Sequence, residues 1–215
     1  VHDDLIAGGL IGTDEAGKGD YFGPLVCAAC YVDSKTASIL TNSNVRDSKR
    51  ISDNRVCELA ILIKSTCPHN IIVILPEKYN ALYAKFRNLN RLLAWAHAKA
   101  IENILEKTKC ENVLTDQFGD EKLVQRALQE KGRQINLIQR TKAEQNLAVA
   151  AASILARAEF LHRLASLSKN FGINLHPGAG APTDLAVKEF LKVNGKDKLG
   201  QVAKLHFKNT QKAGL

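Results

Sequence analysis

The chain has 215 residues, 45% of them apolar and 24% charged, the balance of an ordinary globular protein with enough length to bury a core unaided. Lys and Arg number 30 against 22 Asp and Glu, a formal charge of +8, which suits a polyanionic partner such as nucleic acid. No stretch is long and apolar enough to span a membrane, and the acidic start VHDDLIAGGLIG lacks the basic region of a signal peptide.

Five cysteines, an odd number without a secretion signal, argue for reduced thiols and a cytoplasmic location. Cys27 and Cys30 have CxxC spacing, but they lie inside the apolar run PLVCAACYV and no second ligand pair completes a zinc site. They are read as core thiols.

In chain order, residues 9–16 and 23–32 are strand-length apolar runs bounded by glycines, expected to pair antiparallel. Ser52 or Asp53 caps a helix with Val56, Leu59, Ala60 and Ile63 on its apolar face. Residues 71–75 form a buried strand that Pro76 ends. Residues 88–107 form a long helix, with Leu89, Leu93, Ala96, Ala100, Ile101 and Ile104 on one face. A strand over 112–115 ends at Asp116, a helix follows over 121–130, and another strand over 134–139. An Ala-rich helix spans 143–168 with Glu144 in its first turn, and its small side chains permit close packing. After His176 come the loop PGAGAPTD and a Lys-rich helical stretch. Alternating strands and helices indicate an α/β layer fold with a mixed sheet. One compact domain is expected, with a C-terminal helical extension over about 176–215.

Asp14 and Glu15 interrupt an apolar strand, where charge is costly unless paired or bound to a cation. Asp116 ends another strand, and Glu144 opens a helix. If the strands of Asp14 and Asp116 are neighbours, these carboxylates converge as a ligand set for Mg²⁺ or Mn²⁺. Each acid also has a plain structural reading. Asp14-Glu15 could be a surface turn, Asp116 a helix cap, and Glu144 a residue favoured by the helix dipole, with Asp120 a rival acid nearby. Consecutive strand residues point to opposite faces, so Asp14 and Glu15 share a site only if Glu15 lies at the strand end. The segment AGKGDYFGP offers bare amides at Gly17 and Gly19 and a cation at Lys18, the makings of a backbone contact to sugar-phosphate or of a simple hairpin turn.

Four segments in order, GTDEAGKGDYFGP, RDSK at 46–49, TDQF at 115–118 and TKAEQNLAVAAASILAR at 141–157, resemble the type 2 ribonucleases H, and ribonuclease HIII in particular. The resemblance covers roughly residues 9–185. Its HIII character lies in GTDEAGKGDYFGP, KAE and DQF, where ribonuclease HII typically reads GIDEAGRGPLAGP and KAD. It implies a ribonuclease H-like fold, with a mixed five-stranded sheet flanked by helices. It implies metal-binding catalytic acids at Asp14, Glu15, Asp116 and Glu144, with Mg²⁺ or Mn²⁺ as cofactor. It implies hydrolysis of the RNA strand of RNA/DNA hybrids to 5′-phosphate and 3′-hydroxyl ends, with Gly17, Lys18 and Gly19 reading ribose 2′-hydroxyls. Ser48, Lys49 and Lys142 are further expected substrate contacts. The partner it implies is the hybrid duplex, and neither a membrane nor an obligate protein partner is expected. The alternatives are incision at single ribonucleotides in duplex DNA, as in ribonuclease HII, or a non-catalytic hybrid-binding module. Only about ten residues precede the catalytic motif, so the substrate-binding domain that usually comes before it in ribonuclease HIII is expected to be absent here. With no initiator Met, that leaves a trimmed catalytic domain or a family member without that domain.

Overall fold

The computed structural model of the chain describes residues 8–45, 51–116, 121–128, 134–140 and 143–215, without the side chains of Glu121 and Glu144. Five strands, β1 (Leu10–Ala16), β2 (Leu25–Val32), β3 (His69–Ile74), β4 (Asn112–Asp116) and β5 (Asn136–Arg140), form a mixed sheet in the order β3-β2-β1-β4-β5. β1 runs parallel to β4, and β4 parallel to β5. The helices are α1 (Ser34–Asn42), α2 (Asp53–Thr66), α3 (Pro76–Phe86), α4 (Leu89–Leu105), α5 (Glu121–Ala127), α6 (Leu147–Phe171), α7 (Ala181–Asn194) and α8 (Lys208–Lys212), with 3₁₀ turns at Ala143–Gln145 and Lys196–Gln201. Among the described residues, no helix is long and apolar enough to cross a membrane.

Two compact units share the chain. One is drawn from the chain up to Glu15, Cys27–Ile72 and Asn88–Ala158, the other from Ala16–Val26, Val73–Arg87 and Glu159–Leu215. In the first, Ile11, Ala29, Val113 and Leu137 of the sheet pack with Ala94, Ala98, Ile101 and Ile104 of α4 and Val124 of α5. Asn88 caps α4 through the Arg91 amide, and Ser52 caps α2 through the Arg55 amide, which leaves Asp53 as a first-turn residue. Cys27 and Cys30 are fully buried, as expected of core thiols.

The structure adds two helices to the expected set. α1 opens with a capping box, in which the Asp33 carboxylate accepts from the Thr36 amide and the Thr36 hydroxyl from the Asp33 amide. Asp33→Ala should lower stability by about 1 kcal/mol, measured by urea unfolding. α3 begins at Pro76, which serves as a helix start as well as a strand stop, because its missing N–H falls among donors the first turn leaves unpaired anyway. A third difference lies near Glu144. α6 does not begin at residue 143. A 3₁₀ turn over Ala143–Gln145 precedes it, and Asn146 separates the two, its Oδ1 accepting from the Ala148 amide. The chain is thereby redirected just before α6 starts, and Glu144 is not a first-turn residue of that helix.

Candidate active site

β1 alternates its side chains between two helices of the first unit. Ile11 belongs to the core that α4 closes, and Thr13 and Glu15 follow it on that face. His97 of α4, with no exposed surface, sets its Nδ1 2.9 Å from Thr13 Oγ1 and its Nε2 3.2 Å from Glu15 Oε2. A carboxylate can only accept, so Nε2–H donates to Glu15. Nδ1 accepts from the Thr13 hydroxyl in the neutral ring and donates to it in the imidazolium. Burial works against the imidazolium, but the neighbouring Cys27 sulfur and Glu15 carboxylate outweigh it and raise His97 to about 10.

Gly12 and Asp14 face α6 instead. A Cβ on Gly12 would overlap the backbone of Ala148 and Val149, so α6 lies directly against β1 at this point. The run Leu147–Ala152, made entirely of alanine, valine and leucine, is buried there. Asp14 meets Ser153 of the same helix, and its Oδ1 accepts from the Glu15 amide at 2.8 Å. These bonds are not enough to hold its charge. Burial, then the Glu15 carboxylate, raise Asp14 from 3.8 to about 6.

The β1–β4 register pairs Ile11 with Val113 and Thr13 with Thr115, and one further step sets Asp14 beside Asp116. Register partners point to the same side of a sheet, so both aspartates stand on the α6 face, at the carboxyl ends of adjacent parallel strands. Asp116 also accepts from the Ala143 amide, at 3.3 Å, which brings the turn carrying Glu144 to the same strand end. Asp14 and Asp116 are thus brought to neighbouring positions, and Glu15, held by His97 one residue before the strand ends, is near enough for its charge to act on Asp14. Among the described residues, no three of His, Cys, Asp or Glu are gathered as a metal cluster, and the Glu144 side chain is not among them. The donors still fit a hard divalent cation. They are carboxylate oxygens, and one of them is short of countercharge.

In the second unit, the segment after β1 is a turn, with the Asp20 amide 3.4 Å from the Gly17 carbonyl. Gly17 has φ +86°, and a Cβ there would overlap the Pro24 carbonyl, so the fold itself requires this glycine. Gly19 is different. It is exposed, with open space where a Cβ would be, so nothing within the protein demands it. Lys18 is half-buried between the two. Ser48, Lys49, Lys142 and Asp120 lie outside the described residues.

Sequence reasoning left three of these residues without a role. His97 falls four residues after Leu93 and four before Ile101, on the apolar face of α4, a spacing that could have signalled its burial. Ser153 carried no signal beyond its place in an alanine-rich helix. Lys204, fully buried in the second unit, looked like one more lysine of a basic tail.

Residues 11–210 match the family model described as Ribonuclease HII, and the chain belongs to that family, the type 2 ribonucleases H. Its similarity is to ribonuclease HIII in particular. It is 48% identical over 198 residues to the Ribonuclease HIII of Protochlamydia amoebophila, covering 92% of this chain and 66% of the relative. Among solved structures, Bst-RNase HIII in complex with Mn²⁺ superposes with a TM-score of 0.90 at 34% identity, over 98% of this chain and 70% of that one. The RNase H3 of Aquifex aeolicus gives 0.76 at 33% identity, over 94% and 72%. The chain spans about two thirds of the length of the curated relatives it matches.

Proposed function

We propose that this chain is an endonuclease that hydrolyses the RNA strand of RNA/DNA hybrids by two-metal-ion chemistry, leaving 5′-phosphate and 3′-hydroxyl ends. The observation that carries the proposal is the pair Asp14 and Asp116, side by side on one sheet face at the carboxyl ends of β1 and β4, in a type 2 ribonuclease H. The strand order reverses between these two strands, and open α/β sheets place their sites outside the strand ends at such a point.

Asp14 and Asp116 would hold Mg²⁺ or Mn²⁺, with Glu15 and Glu144 as further oxygen donors. The Mn²⁺ in the Bst-RNase HIII structure supports this choice of ion. A bound divalent ion supplies an activated water and charge neutralisation on the leaving oxygen. The protein's own groups do the rest. His97 donates to one oxygen of Glu15 and fixes how that carboxylate is presented. The Ala143 amide holds one oxygen of Asp116. The backbone at Gly17, Lys18 and Gly19 reads the 2′-hydroxyl, the one group that tells RNA from DNA. Lys18, Lys49 and Lys142, with Ser48, contact phosphates, and the +8 charge draws the duplex in. Reduced thiols and a hybrid substrate suit the cytoplasm.

The test is incubation with a uniform RNA/DNA hybrid, and separately with a DNA duplex carrying one ribonucleotide, each with Mg²⁺, Mn²⁺ or EDTA. Metal-dependent cleavage of the uniform hybrid is expected, lost on Asp116→Asn. Cleavage at the lone ribonucleotide alone would shift the reading to ribonuclease HII-like incision. Salt-dependent binding to the hybrid without turnover would leave a binding module.

A further inference from the structure

Lys204 has no exposed surface. Taking an ammonium out of water is costly, and buried charge is a poor source of stability compared with an apolar side chain of similar size. Its surroundings show what the charge is used for. Nζ donates to the carbonyl oxygens of Asp20 at 2.8 Å and Gly23 at 2.7 Å, and lies 5.6 Å from the centre of the Tyr79 ring. Burial pushes the amine down to about 7 against the pull of the Asp20 carboxylate.

Both carbonyls belong to the chain that continues directly from Gly17-Lys18-Gly19. The rest of that chain hangs from the C-terminal segment of the same unit. The Gly178 amide donates to Asp20 Oδ1, and the Tyr21 amide to the Gly178 carbonyl. The Gly23 amide donates to Val202, the Lys204 amide to Tyr21, and the Tyr21 hydroxyl meets Thr210 Oγ1 at 3.0 Å. Asn80 of α3 steadies the segment in turn, donating to Gly200 and Ala203 and accepting from the Leu205 amide. Asp20 closes the turn that starts at Gly17, so a pin on its carbonyl fixes the far end of that turn while Gly19 stays open to an incoming ligand.

We infer that Lys204 is a positioning residue for ribose recognition: its buried amino group, donating to the Asp20 and Gly23 carbonyls, holds the Gly17–Gly19 turn at the height where the turn's backbone meets a 2′-hydroxyl of the RNA strand. This rests on the proposed reading of the turn as the ribose contact. Residues 200–210 then take part in ribose recognition through the turn they hold, although they touch no reacting atom.

The test uses the full chain, with kcat and KM measured on a uniform hybrid and on hybrids carrying one 2′-deoxynucleotide at successive positions near the cut. In the wild type, one position should cost about tenfold or more in kcat/KM. Lys204→Met keeps the side-chain length without the charge. It should lose about tenfold on the uniform hybrid, chiefly in KM, and should no longer discriminate at that position. A folded Lys204→Met that keeps the full 2′-deoxy penalty overturns the inference. If that variant does not fold, Thr210→Val, which removes only the partner of the Tyr21 hydroxyl, carries the test. A reduced penalty supports the inference and an unchanged one overturns it. A wild type that cleaves hybrids without any 2′-deoxy penalty overturns the reading of the turn and this inference together. One that cleaves no hybrid overturns the proposed function itself.

Discussion

Asp14→Asn should abolish cleavage and, in EDTA at neutral pH, make the protein more stable than the wild type. The two effects have one cause. Burial and the neighbouring Glu15 raise the Asp14 carboxyl from 3.8 to about 6. Below pH 4 both the folded and the unfolded chain hold the proton. Between about 4 and 6 the folded chain keeps a proton that the unfolded chain has released, so this group's contribution to stability falls as pH rises through that window. Above it the ionised carboxylate costs the fold up to about 3 kcal/mol. Asparagine keeps the shape and a hydrogen-bonding oxygen without the charge, and should recover much of that cost. A divalent ion should also relieve it, so Mg²⁺ or Mn²⁺ should raise the wild-type melting temperature more than that of the variant. Thermal unfolding of both proteins from pH 4 to 8, with EDTA and with each metal, checks every part. A variant less stable than wild type in EDTA would refute the account of Asp14 as strained by burial. A variant that still cleaves would refute its place in the site.

Gly12→Ala should be among the most damaging single-methyl additions in the chain. The added carbon would meet the backbone of Ala148 and Val149, which cannot swing aside as a side chain can. α6 must lift from β1, at a cost of about 3 kcal/mol or more. The helix carries Ser153, the partner of Asp14, and follows directly from the turn of Glu144, so displacement there should lower kcat by about a hundredfold even where the variant folds. Urea unfolding and steady-state kinetics measure the two losses. Gly19→Ala is the matched comparison. Open space awaits its methyl, so stability should hold while hybrid cleavage falls. Equal stability of Gly12→Ala and wild type would mean that the helix does not rest on the strand as described.

Much of this arrangement is legible in the sequence, because local rules and the fold agree there. Apolar runs of strand length stop at Asp14-Glu15 and at Asp116, and the periodicity of α4 with Asn88 before it marks both its face and its start. What escapes is decided by contacts between distant residues. The pairing of Asp14 with Asp116 needs the β1–β4 register. Glu144 reads as the opening of a long helix because alanines continue the pattern on both sides of Asn146, and only the chain's turn toward Asp116 breaks it. His97 shows its burial in its spacing but not its partner Glu15, 82 residues earlier. Lys204 shows neither, since a lysine among lysines has the local signature of solvated charge.

The bond from Lys204 to Asp20 closes a loop of 184 residues. A contact of that span has a heavy entropic cost of closure and forms late, after local helices and the parallel pairs have reduced the search. On the ribosome, the turn at Gly17–Gly19 is made long before residue 204, and its pinning must wait until that residue has emerged. Competence for cleavage should therefore trail the growth of secondary structure during refolding, arriving with the slowest phase, when the two ends of the second unit meet.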